Sequence, residues 1–306
     1  MEAGSQLEFR SPGLKGFRLP QPHPPTCSPT RAPETQRRLI VNADDFGRSS
    51  AINQAVIRAH QEGILTTASL MVNEPACAEA VELARQNPGL GVGLHLTFLC
   101  GHSALPPEQL PGLVNERREF TNQPASAGVR YFFQRRLHGL LRAELHAQFN
   151  KFRATGLPLD HVNGHLHLHL HPTLFRFLTN DAAQLGVERL RLTSDPFWLN
   201  LQLASGHLAY RALHAVLFHA LAAHARPEVR RRGFRHTRTV FGLLQNARVD
   251  EEYVWRLLPR LPPGDSELYS HPSLDEFKNE FDALVSPRVR GRVRELGIKL
   301  IRYQDL

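Results

Sequence analysis

Cysteine is scarce in this chain of 306 residues: there are three, Cys27, Cys77 and Cys100. The count is odd and no Cys-X-X-Cys spacing occurs, which argues against a disulfide framework and fits a reducing, cytoplasmic setting. Cys77 and Cys100 are expected to be small buried hydrophobes rather than nucleophiles. No run approaches the roughly 20 apolar residues that span a bilayer. Aromatic residues make up 8% of the chain, and no basic strip interleaved with aromatics and no zinc-finger spacing is present. A nucleic-acid partner is therefore not expected, although the net charge is +8 and the pI is about 9.9. A basic balance of this kind equally suits an anionic surface.

What is present is an ordinary globular composition, 42% hydrophobic and 22% charged, in a chain long enough to bury a core. Residues 1–36 stand apart. "LPQPHPPTCSPTRAPE" is proline-rich and aperiodic, and it is read as a disordered leader rather than a signal peptide. Residues 37–306 are read as one folded domain.

Within it, apolar runs alternate with helix-like segments. Strands are expected at 39–43, 65–73, 91–98, 157–165, 188–192, 239–245 and 266–272. Helices are expected at 50–63, 76–87, 128–154, 172–186 and 250–258, with a helix–strand pair at the end. Residues 101–127 read as a loop, and 195–238 as an insertion or lid. Repeated strand–helix units indicate a parallel α/β sheet, and seven or eight of them suggest a closed or nearly closed barrel. A doubly wound open sheet is the alternative. In both, ligands sit at the carboxyl ends of the strands.

Those ends carry the chemistry. The first strand runs into "NADDFG", with Asn42, Asp44 and Asp45. Adjacent carboxylates repel, and dividing them between cation binding and proton transfer relieves this. Helix capping is the plainer role, but Ser49 and Ser50 already offer it. The third strand ends in "GLHLT" with His95. The stretch "DHVNGHLHLHLHP" holds five histidines, His161, His165, His167, His169 and His171. Period-two spacing puts His161, Asn163 and His165 on one face, while His169 and His171 lead into the next helix. Asp45, His95 and His165 come from three strand ends. Together they make a facial set that leaves positions open, as a catalytic metal needs. Metal storage on the histidine run alone is the rival reading. "RLRL" supplies Arg191, and "YSHPS" supplies His271 at another strand end, where a general acid is expected.

The stretches "LIVNADDFG", "GLHL", "DHVNGHLH", "RLRL" and "SHP", in this order, resemble the YdjC-like carbohydrate deacetylases over about Leu39 to Leu306. "GVRYFF", "VFGLLQ" and "LGIKLIRYQDL" bring the chain nearest the hopanoid-biosynthesis-associated HpnK branch. The resemblance implies a distorted, incomplete TIM-like (β/α) barrel of the glycoside hydrolase/deacetylase type. It implies a hydrolase that removes the N-acetyl group from an aminosugar. The substrate would be N-acetylglucosaminyl hopanoid, with a soluble chitooligosaccharide such as diacetylchitobiose as the alternative. One divalent ion would be held by Asp45, His95 and His165. The family metal is magnesium, whereas two imidazoles suit zinc, cobalt, nickel or manganese. Asp44 would accept the proton, and His271, or else His161 or His167, would protonate the leaving amine. Arg191 would orient Asp44, hold a substrate oxygen or form a surface ion pair. Many relatives have an acidic residue where this chain has Asn163. Finally, 206–238 joins an apolar helix to Arg230, Arg231, Arg232, Arg235 and Arg238. It is read as a lid helix or as a segment that meets the inner membrane surface. A homodimer is a further expectation.

Overall fold

The protein is described from a computed structural model covering Met1 and residues 36–204, 206–245 and 247–306. The expected disordered leader, with Cys27, lies outside the described residues apart from its two ends.

Ten residues open the domain as β1 (Arg37–Phe46), with eight consecutive positions buried, the pattern of a strand covered on both faces. Ser49 caps α1 (Ser50–Glu62) by accepting from the Ile52 amide, so neither aspartate is needed there. Then follow β2 (Thr67–Leu70), α2 (Cys77–Gln86), β3 (Gly91–Leu96), α3 (Pro124–Phe133), α4 (His138–Ala154) and β4 (Val162–Gly164). Next come α5 (Pro172–Asn180), α6 (Ala182–Leu185), α7 (Phe197–Leu203), α8 (Leu208–Arg232) and β5 (Thr239–Phe241). The chain closes with α9 (Glu251–Leu257), β6 (Gly264–Ser270), α10 (Lys278–Val285), α11 (Pro287–Glu295) and β7 (Lys299–Leu300).

All pairings among these strands are parallel, in the order β4-β3-β2-β1-β6-β5. Strand β1 offers β6 one edge, from Arg37 to Ala43. It shares the other between β7, at Arg38 and Leu39, and β2, from Asn42 onward. The sheet curls because residues 188–194 join its two ends. Val162 N donates to Arg189 O and Arg191 N to Val162 O, while Leu190 N donates to Arg235 O and Val240 N to Ser194 O. The architecture is thus a distorted, incomplete TIM-like barrel and not an open sheet.

Several expected boundaries move. The strand at 188–192 is reduced to isolated bridges at Arg189 and Leu190, because its neighbours meet it only in passing. The helix expected over 128–154 is two, separated by a 3-10 turn at Arg135–Leu137. Buried positions recur every four residues up to Tyr131 and again from Leu137. The intervening step of six turns the apolar face away from the barrel in any continuous helix. The helix expected at 172–186 breaks at Asp181, whose carboxylate receives both Arg142 and His146. Cys77 and Cys100 are half-buried against the core, and burial raises both thiols, as inert packing groups require.

Candidate active site

The end of β1 departs from the strand pattern. Asn42 and Asp44 share the inner face by period-two alternation, which would turn Asp45 outward. The register with β2 shifts between Ala43 and Phe46, and Asp45 has φ 64°. A bulge with one residue in the left-handed region re-aims a side chain in this way. Both carboxylates consequently face the barrel mouth.

Asp45 Oδ1 lies 2.9 Å from His165 Nδ1 and 3.3 Å from His95 Nε2. Its other oxygen accepts from Arg48 Nη1 at 2.9 Å. The three side chains are buried, and one ligand atom from each lies within 4.8 Å of the others. Asn163, whose amide donates to Asp44 Oδ1 at 3.1 Å and to Ser69 Oγ at 2.8 Å, leaves its carbonyl for His95 Nδ1 at 2.7 Å. His95 Nδ1 therefore carries the hydrogen. Its Nε2 lone pair faces a carboxylate oxygen, and two acceptors face to face are complementary to a cation. The residues fit a divalent ion. Among the described residues no other group of three acidic, histidine or cysteine side chains has this spacing.

Asp44 makes a different use of burial. It accepts from Asn42 Nδ2 at 2.8 Å, from Asn163, and from both Nη atoms of Arg191 at 2.7 and 3.0 Å. Burial alone pushes its carboxyl up. The Arg191 guanidinium overcomes that and holds it well below the usual carboxylate range. Arg191 is 0% exposed, lies 4.4 Å over the Tyr269 ring and donates twice to Glu267 Oε1. The surface ion pair is thereby corrected. The side chain is sealed between Asp44 and Glu267.

The five histidines part company. His165 joins Asp45. His161 Nε2 meets Ser69 Oγ at 3.0 Å and its Nδ1 meets Asp160, one layer deeper. His167, at φ 57°, binds the Tyr269 hydroxyl at 2.9 Å and Thr193 Oγ at 3.2 Å, and burial holds its ring well below the ordinary histidine range. His169 meets Arg191 O, and burial lowers it to about 3. His171 meets Gly128 O. They make separate contacts, four of them buried and that of His171 half-buried, and not one metal cluster. His271 follows β6 with its backbone amide on Glu280 Oε2 and its side chain 22% exposed. It is the partly open histidine beside the mouth, which His161 and His167 are not. A groove of about 950 Å³ begins at Arg48 and runs past Glu74, His102, Asn115 and Asn122.

Four participants escape the sequence reading: Ser69, Glu267, Tyr269 and Arg48. The first three stand on inner strand positions, and Glu267, Tyr269 and His271 share one period-two series that was there to be read.

A family model described as YdjC-like protein matches residues 38–295. The chain is 40% identical over 161 residues to a carbohydrate deacetylase of Geobacillus stearothermophilus, covering 52% of this chain and 60% of that one. With the carbohydrate deacetylase of Brevibacillus brevis it is 39% identical, over 49% of this chain and 57% of that one. The chain thus spans less than two thirds of the length of these relatives. A chitooligosaccharide deacetylase of Serratia marcescens is 30% identical over 89% of this chain and all of its own length. In fold, a protein of Enterococcus faecalis V583 named for cellobiose-phosphate cleavage superposes with a TM-score of 0.68 at 23% identity, over 88% and 98% of the two chains. The match across almost the whole barrel, bulged Asp pair and histidine strand included, makes this chain a member of the YdjC-like family.

Proposed function

We propose that this protein is a divalent-metal-dependent carbohydrate deacetylase that hydrolyses the N-acetyl group of an acetylated aminosugar. The observation that carries the reading is the buried Asp45–His95–His165 set beside a second carboxylate, Asp44, that is held apart from it by Arg191. An ion bound there would supply Lewis acidity, polarising a carbonyl and lowering the pKa of water to about 7. The other roles belong to the chain. Asp44 accepts a proton from the attacking water. Its four donors fix the carboxylate in place, so no reorganisation accompanies the transfer. His271 donates a proton to the departing nitrogen, and acetate and the free amine leave. Two imidazoles and one carboxylate favour zinc, cobalt, nickel or manganese over magnesium.

Asp44→Asn tests the assignment. The variant keeps the size of the side chain, sets one amide N–H against the Arg191 or asparagine donors, and leaves Asp45, His95 and His165 in place. Metal affinity should stay within a few-fold of the parent while kcat for acetate release falls about 10²–10⁴-fold. Full turnover by Asp44→Asn removes Asp44 from the proton transfer.

For the substrate, a lipid-linked aminosugar of the N-acetylglucosaminyl hopanoid type is favoured by the insertion. Trp198 on α7 and Leu208, Leu213, Val216 and Leu217 on α8 are all exposed. Arg211, the one charged residue of α8 before Arg226, is buried. The same helix sends Phe218 inward to within 5.1 Å of the His167 ring, next to the site. Part of the basic tail is engaged otherwise: Arg231 and Arg232 pair with Glu228, and Arg235 donates to Leu306 O. The apolar face, more than the arginines, supports a peripheral contact at the inner membrane surface. No helix among the described residues is long and apolar enough to cross a membrane. Flotation with anionic liposomes is expected for the parent and lost in Leu213→Asp/Val216→Asp. Equal flotation of both removes the contact. The soluble reading, a chitooligosaccharide, is supported by the polar groove at Arg48. Acetate release from N-acetylglucosaminyl hopanoid, N-acetylglucosamine and diacetylchitobiose, with each metal returned to chelated protein, decides between them.

A further inference from the structure

Two hydrogen-bonded arms leave the candidate site and descend inside the barrel to one place, the 3-10 turn Tyr303–Asp305 that follows β7. The first starts at the Gln304 amide, which donates to Asp160 Oδ1 at 3.0 Å. Asp160 Oδ2 meets His161 Nδ1 at 3.0 Å, His161 Nε2 meets Ser69 Oγ at 3.0 Å, and Ser69 Oγ accepts from Asn163 Nδ2 at 2.8 Å. Asn163 Oδ1 then meets His95 Nδ1. The second starts at the Tyr303 hydroxyl, which donates to Glu267 Oε2. Glu267 holds Arg191, and Arg191 holds Asp44. The arms touch at their base, where the rings of Tyr303 and His161 stack 4.3 Å apart at 16°. Tyr303 packs there with Ile40 and Ile301.

The direction of every bond in the first arm is determined. A carboxylate only accepts, so His161 carries its hydrogen on Nδ1 and accepts at Nε2. The single Ser69 hydrogen goes to that nitrogen. Its other candidate acceptor, Asn42 Oδ1, is 3.4 Å away and already receives Thr67 Oγ at 2.8 Å, while the Asn42 amide donates to Ser69 Oγ at 3.0 Å. Ser69 then accepts from the Asn163 amide, which Asp44 Oδ1 also receives at 3.1 Å, and the two acceptors together turn the Asn163 carbonyl toward His95. The polarity set at Asp160 thus reaches His95 Nδ1 on the neighbouring strand β3, and the second arm, through Asp44, holds the same Asn163 amide. All of Ser69, Asp160, His161 and Asn163 are buried, where misdirected hydrogen bonds are costly.

We propose that the Tyr303–Gln304 segment is the common anchor of the site, fixing the tautomer of His95 through Asp160, His161 and Ser69, and the carboxylate of Asp44 through Glu267 and Arg191. Asp160, His161, Ser69 and Tyr303 are then positioning residues. The inference rests on the reading of Asp45, His95 and His165 as metal ligands, and its first test needs no metal. In metal-free full-length protein, ¹⁵N spectra of the imidazoles should show His95 protonated at Nδ1. Ser69→Ala leaves the Asn163 amide on Asp44 alone and should populate the other tautomer in part, and Ser69→Thr, which keeps the hydroxyl, should restore the first. Titration of zinc or manganese into chelated protein should then show about 10–100-fold weaker binding for Ser69→Ala. Tyr303→Phe keeps the stacked ring and loses only the second arm. Its metal affinity should match the parent while kcat falls and KM holds.

Thermal melts of each variant establish that it is folded. An unchanged His95 tautomer in folded Ser69→Ala overturns the first arm, and parental kcat in Tyr303→Phe overturns the second. Should Ser69→Ala not fold, Asp160→Asn is read the same way, because its amide can reverse the hydrogen on His161. A parent that shows the expected tautomer but binds no metal overturns the metal reading and leaves the arm standing.

Discussion

Asp45→Ala and His165→Ala should each lose divalent-ion binding and acetate release together. Both side chains contribute a ligand atom to the same buried set, and an open site of three protein ligands has none to spare. Asp45 carries the larger share of the effect. It supplies the set's only negative charge, and without it two buried imidazoles are left facing each other and half-exposed Arg48 loses its partner. Isothermal titration of chelated protein should show one tight ion per chain in the parent and none in Asp45→Ala. His171→Ala supplies the control. That ring points at Gly128 O, so the stoichiometry should stay at one. Several ions per chain, reduced by His171→Ala, would support metal storage on the histidine run. Metal binding that survives in Asp45→Ala with activity intact would move the centre elsewhere.

How much of this was legible beforehand follows from where each residue stands. The candidate trio could be read because Asp45, His95 and His165 each stand at the end of a buried strand, and parallel α/β folds gather strand ends at one mouth. His161 and Asn163 could be read from period-two spacing. The bulge at Ala43–Phe46 could not. Nothing in "NADDFG" demands that an aspartate take φ 64°. Without that turn the two carboxylates would point to opposite faces, and the division of labour between them would have no geometry. The environment of Arg191 was equally hidden. "RLRL" suggests an exposed ion pair as readily as a buried one. Its burial is decided by Glu267, 76 residues on, and by the curl that brings residues 188–194 between β4 and β5. Anchors such as Tyr303 belong to the same class. They are recognised by the company they keep after the barrel closes, and no local pattern announces it.

The second large effect is expected at Arg191. Replacing it with leucine conserves bulk and removes the one cation lying between two buried carboxylates, Asp44 and Glu267. Breaking a buried pair from one side typically costs about 3–5 kcal/mol, because the remaining charge is left without a partner. Here two are left. The pH dependence should also change sign. In the parent, Asp44 is held well below its ordinary value by Arg191. The unfolded chain therefore binds the extra proton near that ordinary value, and stability rises with pH until Asp44 is ionised in both states. With the guanidinium gone, the largest influence lowering Asp44 is lost, burial outweighs what the Asn42 and Asn163 amides and the nearby His95 and His271 supply, and the folded carboxyl should rise above its unfolded value. The native state now binds the extra proton, and stability should fall as pH rises from about 4 toward 7. Urea unfolding of Arg191→Leu at both ends of that window should show the larger deficit near neutrality. Arg191→Lys restores a charge without the two-pronged contact, and should recover part of the stability while leaving Asp44 poorly held and kcat low. A leucine variant that unfolds like the parent, with the same pH slope, would mean that Asp44 does not depend on Arg191 for its charge.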